Sequence, residues 1–332
     1  MRKFLVAVCL FFLVVLSGSS AFGAFPEKPV TLVVPWSAGG VTDTVARAFA
    51  PVFEKYLGQP VIVLNKPGAS GAIGTEFVYS RPADGYTVLF SAETPGSFRV
   101  MGISELSFND FDPLIMMVYD TKLITVSAKS PYKKIEDLIE DIKARPGKVR
   151  MSYSGPGASG HIQGLLLKKV GLDVALIPFG GGNEAMLALL GGQVEFTSSN
   201  TAPTLGYIAS GDVRVLAVWS DKPVDAFPGV PPITDVLPEL KRYFPLEFPN
   251  CLLVKKGTPE DVKEVLLKAA KAAVSDPQWI DFVKKVHYVT MHHLEGGAVL
   301  DYWRHWESVV SWLLYEAGVA KHSPEKFGIP KP

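Results

Sequence analysis

The sequence is short of cysteine, of net charge and of long apolar runs, and each shortage removes a class of protein. Only two Cys occur among 332 residues, which excludes a disulfide-stapled scaffold and a multi-Cys zinc site. The 33 basic and 33 acidic residues cancel, so no basic field exists for general nucleic-acid binding. Hydrophobic residues make up 48% of the chain and charged ones 20%, too apolar and too neutral a balance for disorder. Beyond Leu16, no apolar run approaches the roughly 18 residues of a membrane span. Glycine and proline, by contrast, are plentiful at 30 and 26, which points to many turns and strand-to-helix loops. The length exceeds one ordinary core, so two lobes are expected.

Arg2 and Lys3 precede an apolar run from Phe4 to Leu16, and Ser17 to Gly23 supplies small residues. This is the three-part pattern of a secretory signal peptide. As a helix, the run extends roughly 20 Å, against roughly 30 Å for a bilayer core; a retained anchor is the alternative. Cleavage is expected after Gly23, with Ala21 at the −3 position. Cys9 would leave with the peptide, so Cys251 would be the one remaining thiol. Removing Arg2 and Lys3 takes 33 basic residues to 31 against 33 acidic, a net charge of −2. The mature protein is expected to be soluble and periplasmic.

The remaining chain alternates short apolar strands with amphipathic helices, which predicts an α/β fold with mostly parallel sheets. Val30–Val34, Val61–Leu64 and Thr87–Phe90 read as strands in the first part. Leu123–Val126, Val149–Tyr153, Val174–Ile177, Val194–Thr197 and Val213–Val218 read as strands in the second. Val45, Phe49, Val52, Phe53 and Leu57 fall at helical spacing, with Thr42 or Asp43 available near the cap. The stretch from Lys222 to Pro245 reads as an irregular loop. Leu252–Val254 starts a return segment, followed by mostly helical sequence. Trp303, Trp306 and Trp312 are expected to pack the last helix onto the first lobe.

Two short patterns occur twice, each where a strand should hand over to a helix. Pro-Gly-Ala-Ser-Gly stands at 67–71 and 156–160, and a Pro-aromatic turn with paired glycines stands at 35–40 and 178–183. Turn chemistry alone accounts for any single copy. Four copies, two in each half, suggest a shared cleft. The first turn of a helix presents free N–H groups and partial positive charge, and small residues let an anion approach closely. Two such sets facing one another can grip a carboxylate without a buried Arg or Lys.

The residues that carry a family likeness are Phe25–Val30, Val34–Gly40 with Asp43 and Arg47, Asn65–Gly74, Pro82–Thr87, Phe111–Pro113 and Leu190–Glu195. In this order they resemble the Bug/TctC family, the extracytoplasmic receptors of tripartite tricarboxylate transporters. The resemblance implies a two-lobed periplasmic binding protein type II fold, with each lobe a sheet flanked by helices. It implies lobes at 24–122 plus 250–332 and at 123–249, closing around hinge strands near 121–126 and 248–255. It also implies a small carboxylate ligand, one large and one small membrane subunit as partners, a monomeric receptor, and no cofactor, metal or catalysis.

The site residues expected in the first lobe are Trp36, Ser37, Ala38, Gly39, Gly40, Asp43, Ser70, Ser91 and Glu93. Those expected in the second are Ser154, Gly155, Gly157, Ala158, Ser159, His161, Phe179, Gly180, Gly181 and Asn183. Ala38, Ala158, Ala188 and the Phe179-Gly180 pair depart from the family's more polar pattern. A mono- or dicarboxylate with an apolar body is therefore expected rather than a citrate-like trianion. Glu93 either belongs to a surface turn or faces the cleft; in the second case it suits a ligand amine.

Three rival functions are weaker on the residues. Gly155–Gly160 spells a dinucleotide-binding G-x-G-x-x-G, but the next strand ends in Pro178-Phe179 rather than an acidic residue for the ribose. No G-x-S-x-G nucleophile elbow is present, although His161 is a candidate base. His292, His293 and Glu295 lack the helical i, i+4 spacing of a metal site. A sensor coupled to a signalling partner uses the same fold as a transport receptor.

Overall fold

Val30–Val34 forms β1, and four of its five residues are buried. The computed structural model describes residues 25–91, 94–154, 156–180 and 182–332. The expected leader with Cys9, and the positions of Glu93, Gly155 and Gly181, lie outside the described residues. β1 is followed by α1 (Val41–Leu57), β2 (Val61–Asn65), α2 (Ala72–Tyr79), β3 (Thr87–Ser91) and β4 (Phe111–Tyr119). The second set runs β5 (Lys122–Ser127), α3 (Ile135–Ala144), β6 (Arg150–Tyr153), α4 (Ser159–Lys169), β7 (Ala175–Pro178), α5 (Gly182–Leu190), β8 (Phe196–Asn200), α6 (Thr201–Ala209) and β9 (Val213–Trp219). β10 (Pro249–Lys255), α7 (Glu260–Val274), α8 (Pro277–Lys285), β11 (Val289–Thr290) and α9 (Gly297–Glu316) complete the chain.

The strands form two sheets, ordered β11-β4-β10-β3-β1-β2 and β7-β6-β8-β5-β9. The two-sheet α/β architecture is as expected, but both sheets are mixed. β1 runs parallel to β2 and β3, whereas β10 pairs antiparallel with β3 and β4. β6 runs parallel to β7 and β8, whereas β5 pairs antiparallel with β8 and β9. Helix crossovers impose parallel neighbours. β5 and β10 arrive from the other sheet without such a crossover, so that constraint does not act on them.

The helical face read from the sequence is the face that packs. Val45, Phe49, Val52, Phe53 and Leu57 of α1 are all buried, and Phe49 stacks on Phe53 at 5.0 Å. Gly58, with φ of 76°, ends this helix in the left-handed conformation open to glycine. Trp303 and Trp306 of α9 are buried, and Phe108 stacks on Trp303 at 4.3 Å, which anchors α9 to the first sheet's loops. The end of α9 also reaches the other lobe, where Glu316 pairs with Lys169 of α4. The stretch expected as an irregular loop is partly built. It holds helical turns at Ile233–Val236 and Pro238–Tyr243, with Ile233, Leu240 and Leu246 fully buried, because its apolar residues recur between the prolines. β8 lies further along the chain than expected, at Phe196–Asn200.

The chain passes from the first sheet to the second through Asp120-Thr121 and returns through the segment 220–248. At the first passage Asp120 Oδ1 accepts the Thr201 N–H at 3.0 Å, and Thr201 Oγ1 donates to the Thr121 carbonyl at 2.6 Å. Among the described residues, no helix is long and apolar enough to cross a membrane.

Candidate functional site

The loop from Pro35 to Gly40 leaves the carboxyl end of β1 and opens α1. Ser37, Ala38, Gly39 and Gly40 are exposed, and Trp36 is half-buried against the first lobe's core. Gly40 is the N-cap of α1 and provides no side chain to it, so the first turn keeps amides open to solvent or solute. The expected cap at Thr42 or Asp43 is displaced: Asp43 sits inside the first turn, 2% exposed.

Asp43 organises this loop. Its Oδ2 accepts the Gly39 N–H at 2.8 Å and Arg47 Nε at 3.0 Å, and its Oδ1 accepts Asn65 Nδ2 at 2.8 Å. Asn65 Nδ2 also donates to the Trp36 carbonyl at 3.0 Å, which ties the first loop to the second. Burial pushes the Asp43 carboxyl up, but the hydrogen bonds from Arg47, Gly39 and Asn65 outweigh it and hold the carboxyl below its usual value. Both carboxylate oxygens are thus engaged, and the side chain shapes the loop from beneath.

The second loop, Asn65–Gly71, carries a run of left-handed backbone at Gly68, Ala69, Ser70 and Gly71. Ser70 is exposed. Gly74 fits the following helix against the first loop: a Cβ there would lie 2.7 Å from Pro35 Cα and 2.8 Å from the Lys66 carbonyl. Ser91 differs from the rest of the first-lobe set. It ends β3 opposite Cys251 and exposes no surface.

In the second lobe, β6 hands over to α4 through Ser154 to Ala158. Ser154 is exposed, Gly157 and Ala158 are half-buried, and Ser159 is buried. Ala158 is the N-cap and again contributes no side-chain bond. The Gly157 N–H donates to His161 Nδ1 at 3.0 Å, which places the imidazole proton on Nε2. His161 is 6% exposed and stacks on Tyr153 at 4.9 Å. Burial lowers its pKa, so the ring is neutral at neutral pH.

The loop after β7 repeats the theme. Phe179 is half-buried and packs on a small second-lobe cluster, while Gly180 and Asn183 are exposed. The Gly180 N–H donates to Glu184 Oε2 at 2.9 Å. Three of the four glycine loops are therefore braced alike, each by a side chain four residues further on: Asp43, His161 or Glu184.

The sequence reading missed Glu184, although its place four residues after Gly180 repeats the spacing of Asp43 after Gly39. It also missed Lys122, which is 8% exposed and donates to Asn200 Oδ1 beside the first passage between the sheets. Lys122 reads as the polar edge of an apolar strand, and nothing local in the sequence points to Asn200. Cys251 is free and buried, and burial raises its thiol pKa, which favours the neutral form.

A family profile described as "Tripartite tricarboxylate transporter family receptor" matches residues 45–294. The chain belongs to this receptor family. It is 33% identical over 267 residues to a UPF0065 protein of Cupriavidus necator, with 79% of each chain covered. It is similar to the periplasmic binding protein BugD at 30% identity and a TM-score of 0.76, covering 90% of this chain and 100% of that one. An R. palustris protein solved with adipate matches at 25% identity and a TM-score of 0.75, covering 89% of this receptor and 99% of that protein. The receptor is thus a two-lobed solute-binding protein of the TctC type. Its glycine loops, described above, stand at helix starts in both lobes.

Proposed function

We propose that this receptor captures a small mono- or dicarboxylate with an apolar body between its two lobes in the periplasm and hands it to a membrane permease. One observation carries the choice of ligand class: the helices that open the first and second lobes' loops start at Gly40 and Ala158, both without a capping side chain. Open first-turn amides and exposed glycines form a carboxylate-sized anion site in an α/β fold. The exposed polar positions Ser37, Ser70, Ser154 and Asn183 and the half-buried rings of Trp36 and Phe179 supply the mixed lining that an acid with an apolar body requires. Asp43 and His161 support the loops from below, and Ser159 is buried at the first position of α4. The adipate complex of the R. palustris relative fits this class.

The lobes of this reading are 24–122 plus 250–332 and 123–249. Sheet membership supports the division, since β1–β4, β10 and β11 share one sheet and β5–β9 the other. Closure pivots about the strands near 121–126 and 248–255. Partners are one large and one small membrane subunit, and the receptor acts as a monomer without cofactor, metal or catalysis. The leader ends after Gly23. Titration calorimetry of the mature chain with adipate, malate, citrate and benzoate tests the reading. Saturable binding of a mono- or dicarboxylate, weakened by Gly40→Val, is expected. Tight citrate binding with no response to the apolar acids would refute the ligand class, and turnover of any bound acid would refute the absence of catalysis.

A further inference from the structure

Four shielded carboxylates of this protein each face a basic side chain. Asp43 faces Arg47, Asp276 faces Lys55, Glu195 faces Arg150 and Glu307 faces Arg99. Two buried carboxylates depart from this pattern, Asp120 at the first passage between the sheets and Glu247 in the second, and of the two Glu247 lines a groove. It is 9% exposed, yet no ion pair to it forms among the described residues. Its Oε2 has one hydroxyl partner, Tyr302 Oη, at 3.0 Å. A buried carboxylate without a counter-charge is costly, and the cost falls when a cation arrives.

Glu247 lines a groove of about 1030 Å³. The groove is built from Tyr119, the segment 220–226, Pro245, Glu247 and residues between Val274 and Tyr302, none of which belongs to the glycine loops. Tyr288, Met291, Tyr302 and Trp279 are buried in its wall, and Tyr119 is half-buried. Charges of both signs lie at the exposed rim: Asp221, Asp225 and Lys222 on one bank, Lys284 on the other. The buried floor therefore presents one charged group, a carboxylate, among aromatic and thioether surface. An anion is repelled by that floor. A hard metal ion needs more oxygen ligands than one carboxylate supplies. An ammonium ion carried on an apolar body satisfies both features, since aromatic faces attract cations and the body covers the apolar wall.

We propose that this groove is a second binding site, taking a small organic ammonium ion with its charge against Glu247. It is independent of the carboxylate reading of the cleft. It also touches both passages between the lobes, Tyr119 before the first and Glu247 within the second.

The probe is benzyltrimethylammonium, titrated into the mature full chain by calorimetry. Saturable binding of the cation is expected, with none for uncharged benzyl alcohol. Glu247→Gln, with unchanged circular dichroism, is expected to weaken the cation at least about tenfold. Carboxylate binding in the cleft should persist in that variant. No saturable binding to the unmodified protein, equal binding of benzyl alcohol, or undiminished affinity in Glu247→Gln would each overturn the proposal. The first two outcomes need no variant, so a folding defect cannot hide a failure.

Discussion

Gly180 donates its N–H to the Glu184 carboxylate at 2.9 Å, while among the described residues no basic side chain pairs with that carboxylate. Asp43 and His161 hold equivalent positions beneath their loops, but Arg47 compensates Asp43 and burial keeps His161 uncharged. Glu184 is thus the brace whose carboxylate stands without a basic partner among the described residues, beside a loop that we propose lines the carboxylate site. Glu184→Gln retains an acceptor for Gly180 and removes the charge. We expect carboxylate affinity to rise several-fold, about 1 kcal/mol, and more for a dicarboxylate than for a monocarboxylate. Calorimetry on both proteins measures this; an unchanged or weaker affinity contradicts it.

Asp43→Ala removes the acceptor shared by Gly39, Arg47 and Asn65. Losing a buried, charge-assisted set of hydrogen bonds costs about 2 to 3 kcal/mol. Chemical denaturation should show that loss, together with weaker solute binding as the first loop comes free of the second. Because the Asp43 carboxyl lies below its usual value in the folded protein, its contribution is present above pH about 4 and fades as acid protonates it.

Asp120 behaves in the opposite sense. It is fully enclosed, and burial raises its carboxyl to about 6 against the influence of Lys122 and Thr201. One oxygen accepts from Thr201, and the other has no partner. A raised value means that the stability it contributes is complete below pH about 4 and declines as pH rises through about 6. Asp120→Asn should flatten this decline, worth on the order of 3 kcal/mol. Thermal melts from pH 4 to pH 8 on the two proteins give the comparison; parallel curves would refute the assignment.

Gly74→Ala would force a methyl group into the backbone of Pro35 and Lys66. Neither neighbour is a flexible side-chain tip, so the two loops must separate. Overpacking of this kind costs about 1 to 3 kcal/mol. A lowered melting temperature with reduced solute affinity is expected, and full affinity would show that the cleft tolerates the shift.

Much of the architecture could be read from local pattern. Val45, Phe49, Val52, Phe53 and Leu57 announced α1 because a helix buries one stripe, and the glycine loops announced the strand ends because only small residues turn there. The loop residues Ser37 to Gly40 could be read for the same reason. The antiparallel insertion of β10 could not, since pairing between residues such as Leu253 and Leu89 joins segments far apart in sequence. The burial of Ser91 follows from that insertion and was equally hidden. Asp120 meets Thr201 and Lys122 meets Asn200 through tertiary approach alone, and Glu247 lacks a counter-cation only by comparison with ion pairs that the fold creates. The helical turns between Ile233 and Tyr243 were obscured by proline, which marks loops more often than buried turns.

The two links between the sheets are very unequal, two residues at Asp120-Thr121 against the span 220–248. A short tether fixes an axle, whereas a long one only limits travel. If the lobes swing, Thr121 stands at the shorter of the two pivots, and the far ends of the lobes sweep the widest arc. Labels on exposed Ile73 and Leu187 would register that swing strongly, and labels beside Thr121 would scarcely sense it.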